Sequence, residues 1–509
     1  MNRNLTRRDF LKLSSLLPLL QLNLPSFVGE SRSSSNDKNR PNILILVFDA
    51  LSAYHISSFG YKRGTTPNLD RFAEKSTVFH EHHSGGNFTS SGTASILTGT
   101  YPWTHRAIHL HGTVLDSMVD KNIFNLFEGQ DYYRTAYSHN LLVTSLLFQF
   151  RDSLSLLVPT RDLCLVDDDY ADLVFPNDFN AAFWSEWLML RGGETRPGSL
   201  FISLIYRLFR YSHKRDLINK YGDLFPRGIP NLHNLFFILE QAIDWIMAQV
   251  VSLPNPFLAY YHLLPPHEPY MTRKDFVGLF DDGWAPDPKP PMPLQNRQNA
   301  PEGYLNRSRI EYDEYLAYAD EEFGRLYDFM LAHGTLDNTI FVFTSDHGEL
   351  FERGIRGHVT QALYEPITHV PLMISVPGQK QRQDVFTPTS CVDLLPTLLQ
   401  LTNQPIPDWC EGQVLPGFGE ADVRKSIYTV EAKSNPKEAP LKKATVALVK
   451  DNNKIINYLG YHPNESIFEF YDLKTDPDER ENLYKDSNSL AADLREVLLA
   501  KLKQVNQRF

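Results

Sequence analysis

With 509 residues, 42% of them hydrophobic and 22% charged, the chain has the make-up of a folded protein and not of a disordered one. It is long enough for one large α/β domain with an appendage, or for two to three ordinary domains. A formal charge of −11 excludes nucleic acid as the main partner, because phosphate backbones are met by basic surfaces, yet small anionic substrates stay open since a bound cation can reverse the local field.

The chain begins with Thr6-Arg7-Arg8-Asp9-Phe10-Leu11-Lys12 ahead of an apolar stretch at residues 13–24. Paired arginines before a short apolar run resemble a twin-arginine export signal. The run is too short for a stable span and contains Pro18. The protein is therefore expected to be exported through twin-arginine machinery to a periplasmic or cell-surface location, with an uncleaved N-terminal anchor as the alternative. Residues 31–40 (SRSSSNDKNR) are polar and read as a linker, so residues 1–40 are set apart from the fold.

The first predicted strand, Asn42–Phe48 (NILILVF), is a continuous apolar run ending in Asp49. Such runs suit a central strand buried on both faces. Thr66-Pro67-Asn68-Leu69-Asp70 opens a helix. Next comes Thr89-Ser90-Ser91-Gly92-Thr93-Ala94-Ser95-Ile96-Leu97, where small polar residues precede an apolar group at helical spacing. A hydroxyl at that helix start faces unpaired N–H groups and the positive end of the helix dipole, which favours an anionic substrate; an ordinary N-cap is the plainer reading. Residues 141–228 alternate aromatic-rich helical pieces with polar turns and read as an insertion over the sheet, a lid or substrate cap. A helix is predicted at 234–251, a strand at 257–261 ending at His262, a Pro- and Gln-rich surface loop at 283–303 and an amphipathic helix at 310–331. A strand at Thr339–Thr344 ends at Ser345-Asp346-His347-Gly348-Glu349, and a further strand is predicted at 371–376. Ligands of open α/β sheets bind beyond the carboxyl ends of strands. Three apolar strands that each deliver a polar ligand-type residue at that end predict one shared site.

At this point the chain resembles the sulfatase family of the alkaline-phosphatase superfamily. The resemblance rests on motifs in order: the strand ending in Asp49, Phe59-Gly60-Tyr61, Thr66-Pro67-Asn68-Leu69-Asp70, and the Thr89 segment through Leu97-Thr98-Gly99-Thr100-Tyr101-Pro102. It continues through Pro266-His267-Glu268-Pro269-Tyr270, Tyr318-Ala319-Asp320, Asp346-His347-Gly348-Glu349, Gly357-His358, Tyr364-Glu365 and His369-Val370-Pro371-Leu372. It ends on Tyr471-Asp472-Leu473-Lys474-Thr475-Asp476-Pro477 with Glu481-Asn482-Leu483. The resemblance implies an α/β/α sandwich with a large mixed, mostly parallel sheet. Residues 41–400 would be the catalytic domain and residues 401–509 a smaller C-terminal α+β subdomain. Asp49, Thr89, Asp346 and His347 fall on metal-site positions and Thr89 on the nucleophile position. His267 and His358 fall where the family holds substrate oxygens or protonates the leaving group. The implied function is metal-dependent hydrolysis of a phosphate- or sulfate-type ester, on a small-molecule, glycan or lipid substrate. The alternatives are transfer of the same group to a sugar or lipid hydroxyl, and a catalytically weak binding protein on the same fold.

The departures carry as much information as the matches. Many sulfatases have cysteine or serine followed by x-Pro-x-Arg and convert it to formylglycine. Here Thr89-Ser90-Ser91-Gly92-Thr93 lacks the cysteine, the proline and the arginine. Threonine looks like the phosphoesterase and phosphotransferase branches; His105, Arg106 or Lys62 are candidates to replace the lost cation. Asp49 is followed by Ala50 and not by a second acid, so the carboxylate, imidazole and hydroxyl ligands suit manganese or zinc better than calcium. Other polar residues have plainer readings. His80, His82 and His83 are expected to face solvent, His55 to be a structural loop residue and Asp320 a buried hydrogen-bonding carboxylate. Asp167-Asp168-Asp169 reads as a solvated turn, and His262 is balanced between ligand and structure. Of Cys164, Cys391 and Cys410, only Cys391 and Cys410 lie close enough in sequence to suggest a bridge, against ordinary buried thiols.

Overall fold

Seven consecutive buried residues form strand β1 (Asn42–Phe48) of the computed structural model. Ile43, Ile45 and Val47 enter one core, and Leu44, Leu46 and Phe48 enter a second. A side-chain period of two with both faces covered requires helices on both sides of the sheet. The structure describes residues 40–165, 200–232, 235–294, 300–419, 426–462 and 466–509. The N-terminal signal-like segment lies outside them. Among the described residues, no helix is long and apolar enough to cross a membrane.

Strands β2 (Thr77–Phe79), β3 (Tyr133–Ser138), β4 (Leu156–Leu157), β5 (Phe257–Leu263), β6 (Thr339–Thr344), β7 (Leu372–Ser375) and β8 (Gln383–Val385) join β1 in one sheet. Its order is β8-β2-β7-β6-β1-β5-β3-β4. All neighbours are parallel except those of β7, which runs antiparallel to β6 and β2. The helices used below are α1 (Pro67–Ala73), α2 (Thr89–Thr98), α3 (Leu141–Gln149), α4 (Leu200–Tyr221), α5 (Leu239–Ser252), α6 (Glu302–Ala332), α7 (Leu394–Leu401) and α8 (Ser489–Asn506). Apolar side chains of α1, α5 and α6 enter the core shared with Leu44; those of α2, α3, α7 and α8 enter the core shared with Ile43. This is an α/β/α sandwich. A smaller antiparallel sheet, β9 (Ile427–Glu431), β10 (Ala444–Lys450), β11 (Asn453–Leu459) and β12 (Ile467–Asp472), follows, with α8 packed on it.

Several boundaries move from their predicted places. The helix predicted at 310–331 begins at Glu302, directly after Pro301; polar residues and Gly303 fill its first turns and hide the apolar period there. The strand predicted at 257–261 continues to Leu263, so His262 lies inside it. The expected insertion opens on α3 and closes after α4, while residues 166–199, with Asp167-Asp168-Asp169, Phe183, Trp184 and Trp187, lie outside the described residues. In α4, Phe209 stacks on His213, and Tyr211 is exposed. The suggested Cys391–Cys410 bridge is not formed. Each thiol meets a different backbone group instead: Cys391 Sγ accepts from Gly85 N at 3.0 Å and Cys410 Sγ donates to Gly99 O.

His82 and His83 are buried, contrary to expectation, while His80 pairs with Asp384 near the surface. His83 belongs to a buried charge network. Its Nε2 lies 3.2 Å from Glu365 Oε2, and Lys454 Nζ, from β11, lies 2.8 Å from both Glu365 and Glu479. This network ties the small sheet to the loop after β6. Replacing Lys454 with methionine leaves two buried carboxylates without their cation and is expected to cost about 3–5 kcal/mol in chemical denaturation. Burial pushes Glu365 up, but Lys454 and His83 outweigh it and hold Glu365 well below 4.5. Burial lowers His83, but Glu365 wins and raises it above 6.5. The depressed Glu365 stabilises the fold above its unfolded value of 4.5, and that stability is lost as pH falls through the lower folded value. The His83 share is complete below 6.5 and is lost as pH rises through its folded value. Thermal unfolding followed across pH should show both flanks in the wild type, and Lys454→Met should flatten the acid one.

Candidate metal-centred active site

The site forms where β1, β5 and β6 end side by side. Asp49 follows β1, His262 lies near the end of β5, and Asp346 and His347 follow β6; all four are fully buried. The in-register pairing of Val47 with His262 and with Thr344 places these ends at one level. Asp346 Oδ1 accepts from the backbone N–H groups of Ala50 (3.2 Å) and His347 (3.0 Å). That leaves its Oδ2 directed at His347 Nε2 (3.6 Å) and His262 Nε2 (3.8 Å). Asp49 Oδ2 stands 3.1 Å from His262 Nε2, and Asp49 Oδ1 stands 3.5 Å from His347 Nε2. His347 Nδ1 lies 2.9 Å from Gly348 O, which turns Nε2 inward.

Thr89 is the first residue of α2, a helix buried along its whole length. Its Oγ1 lies 3.3 Å from His347 Nε2 and 3.4 Å from Asn140 Nδ2. The close seating of α2 depends on Gly92: a Cβ there would fall 2.1 Å from Asp346 O. Gly348 acts similarly, since a Cβ would fall 2.1 Å from Pro366 O. Its value is close approach, and no positive φ is required of it.

His267 and His358 stand beside the group, with ring centroids 5.0 Å apart; the rings of His358 and His347 are 4.2 Å apart. His267 Nδ1 lies 2.6 Å from Glu268 O, and His358 Nδ1 lies 3.1 Å from Glu349 Oε1. Burial lowers His267, but the charges of Asp49 and Glu349 outweigh it and raise it above 6.5. Burial, aided by His267, pushes His358 down to about 3. His267 thus holds its proton more tightly than a free imidazole and His358 far less tightly. Burial raises Asp49, but His267, His262 and His347 overcome it and hold the carboxyl well below the usual range. Burial and the charge of Asp49 push Asp346 up.

All six predicted site residues meet in this one place. Three contributors went unread. Asn140 donates to Asp49 Oδ2 at 2.6 Å while its Oδ1 caps α3. Glu349 holds His358. Lys433 lies over the ring of Phe88, the residue before Thr89, and donates to Thr360 O. Asn140 had one signal, a Ser-His-Asn turn ahead of an apolar helix. The cations proposed to replace the arginine are engaged elsewhere. Lys62 lies over Trp284, and Arg106 donates to Trp103 O and Ala439 O. His105 bonds Ser95 and is pushed by burial down to about 3. His55 pairs with Asp313 at 2.6 Å, a structural role as expected. Asp320 accepts from Asn68 N and Leu69 N at the start of α1, also as expected.

The donor set fits a divalent cation. Asp49 Oδ1, His262 Nε2 and Asp346 Oδ2 are buried and lack hydrogen-bond partners. Ligand atoms of Asp49, His262 and Asp346 lie within 4.8 Å of one another. Buried polar atoms without partners are costly, and a shared cation satisfies several of them together.

The sequence matches the Sulfatase family over residues 41–145 and 221–404, and the family described as N-sulphoglucosamine sulphohydrolase, C-terminal, over residues 358–508. The ulvan-active sulfatase of Formosa agariphila is 25% identical over 394 residues, which is 75% of this chain and 65% of that protein. The chain thus spans just under two thirds of that relative. The choline-sulfatase of Rhizobium meliloti is 24% identical over 472 residues, 87% of this chain and 82% of the other. Among solved structures, the phosphonate monoester hydrolase of Agrobacterium radiobacter aligns with a TM-score of 0.65 at 19% identity, covering 92% of this chain and 96% of that one. A 2-O GAG sulfatase aligns with a TM-score of 0.62 at 17% identity, covering 92% and 93%. At these identities the two structures speak for the fold.

Proposed function

Since the chain belongs to the sulfatase family, we propose that it is a metal-dependent hydrolase of phosphate- or sulfate-type esters with Thr89 as nucleophile. The observation that carries this reading is the position of Thr89 Oγ1, at the N-terminus of α2 and 3.3 Å from His347 Nε2, beside a group of unpartnered donor atoms. Asp49, Asp346 and His347, with the Thr89 hydroxyl, would hold the ion. A bound divalent cation supplies Lewis-acid polarisation of the hydroxyl and of the ester oxygens.

The residues of the chain do the rest. Asn140 donates to Thr89 Oγ1 and to Asp49, fixing the hydroxyl against the carboxylate. The bond from Thr89 Oγ1 to phosphorus or sulfur forms, with the hydroxyl proton lost to solvent, as the bond to the leaving oxygen breaks. His267, raised above 6.5, carries the proton for that oxygen. Neutral once it has given up that proton, His267 takes one from the water that releases the group from Thr89 and is thereby restored, while His358, neutral and held by Glu349, stands beside it. The free N–H groups at the start of α2 stabilise charge on the remaining oxygens.

The family relatives named above act on sulfate esters, whereas an unmodified threonine favours phosphorus. The protein loaded with manganese or zinc should therefore cleave phosphate diesters, phosphonates or phosphate monoesters faster than sulfate esters in a substrate panel. No turnover of any class by metal-loaded protein would remove the hydrolase reading. The same proposal keeps the Arg7-Arg8 segment as an export signal, and replacing both arginines with lysine (Arg7→Lys with Arg8→Lys) should retain the protein in the cytoplasm.

A further inference from the structure

We propose that His262 is a second imidazole ligand of the metal centre, beside His347. The proposal rests on the reading of this site as a metal centre and extends it to a residue outside the Asp49, Thr89, Asp346 and His347 set. In that set the residue after Asp49 brings no side-chain donor. That residue is Ala50, which contributes only its N–H, already donated to Asp346 Oδ1. A ring from the neighbouring strand β5 adds a donor instead. His262 is fully buried, and its Nε2 lies between the two carboxylates, 3.1 Å from Asp49 Oδ2 and 3.8 Å from Asp346 Oδ2.

The spacing is that of ligands around one small ion. Two donors each about 2.1 Å from a cation, at tetrahedral or octahedral angles, sit roughly 3.0–3.4 Å apart. The two His262 separations, with 3.5 Å and 3.6 Å for His347 Nε2 to Asp49 and Asp346, lie at or slightly above that range. The four side chains therefore need only a small contraction. Despite the 3.1 Å approach, His262 Nε2 makes no well-angled hydrogen bond, and neither do Asp49 Oδ1 and Asp346 Oδ2. The other ring nitrogen is engaged: His262 Nδ1 lies 3.1 Å from the hydroxyl of Tyr260, itself fully buried. A partner at one imidazole nitrogen orients the other for a metal. Two imidazoles with two carboxylates make a site for manganese or zinc and a poor one for calcium, which prefers an all-oxygen shell.

Pulsed EPR of the manganese-loaded protein, grown with ¹⁵N-histidine, counts the imidazole nitrogens bound to the ion. The wild type should show two, and His262→Gln should show one. That variant should also bind metal more weakly by at least the roughly 10–100-fold that loss of an outer-shell partner costs. A single nitrogen in the wild type overturns the assignment, as does a count of two that survives in His262→Gln. Should that variant fail to fold, Tyr260→Phe removes the hydroxyl at His262 Nδ1 and should shift one of the two nitrogen couplings; two unshifted couplings overturn it equally. Elemental analysis separates this failure from the larger one: a protein that takes up no divalent metal ends the metal-centre reading, whereas bound metal with one nitrogen ends only the role of His262.

Discussion

Thr89→Ala is expected to lower kcat by about 10⁴-fold or more, the scale of loss seen when a nucleophile is removed from an otherwise intact site. The fold should survive. Alanine keeps the Cβ at the start of α2, and Asn140 Nδ2 keeps its 2.6 Å bond to Asp49 when the 3.4 Å contact to Thr89 is lost. The cost in stability should be about 1 kcal/mol, that of one hydrogen bond. Thr89→Ser retains the hydroxyl and should retain most of the turnover. The pair of variants tests the hydroxyl itself and not the packing of the side chain. Because the segment lacks the cysteine and the x-Pro-x-Arg of the formylglycine motif, the purified wild type should carry an unmodified Thr89 by peptide mass. Activity should not depend on an expression host that makes formylglycine. A Thr89→Ala protein with unchanged kcat would leave Thr89 as an ordinary helix-start residue.

Asp49→Asn is expected to abolish both metal retention and turnover. Asp49 stands 3.1 Å from His262 Nε2 and 3.5 Å from His347 Nε2, so the loss of its charge touches both imidazoles. A bound metal would also support the fold, because Asp49 Oδ1, Asp346 Oδ2 and His262 Nε2 are buried and have no hydrogen-bond partner in the protein. At metal about one hundred times above Kd the linkage is about 2.7 kcal/mol. A chelator should therefore lower the wild-type Tm and leave that of Asp49→Asn unchanged. Stoichiometric metal in Asp49→Asn, or a wild-type Tm indifferent to chelator, would contradict the centre as described.

The parts of this site legible in the sequence were those announced by long apolar strands. β1 and β6 each contain a continuous hydrophobic run, and the polar residues that follow, Asp49 directly and Asp346 after Thr344-Ser345, are delivered to the end of the sheet. The start of α2 was legible for a related reason: small polar residues followed by an apolar group mark a helix N-terminus. β3, reading Tyr-Arg-Thr-Ala-Tyr-Ser, mixes polar and apolar side chains, so its end and the Asn140 beyond it went unseen. His262 was ambiguous because a histidine inside a buried strand is a ligand or a packed ring according to what lies across the sheet, and register is a tertiary property. The burial of His83 has the same origin. Its partner Glu365, and Lys454 on the other side of that carboxylate, come from distant segments, and no local pattern brings them together.

The most direct test of the central claim is rapid quenching of the metal-loaded enzyme during turnover, followed by peptide mass spectrometry. A phosphoryl or sulfuryl group is expected on the peptide beginning α2, attached at Thr89. The group should be lost on longer incubation and absent from Thr89→Ala. Steady turnover with Thr89 unmodified at every time point, or the group found on another residue, would contradict it.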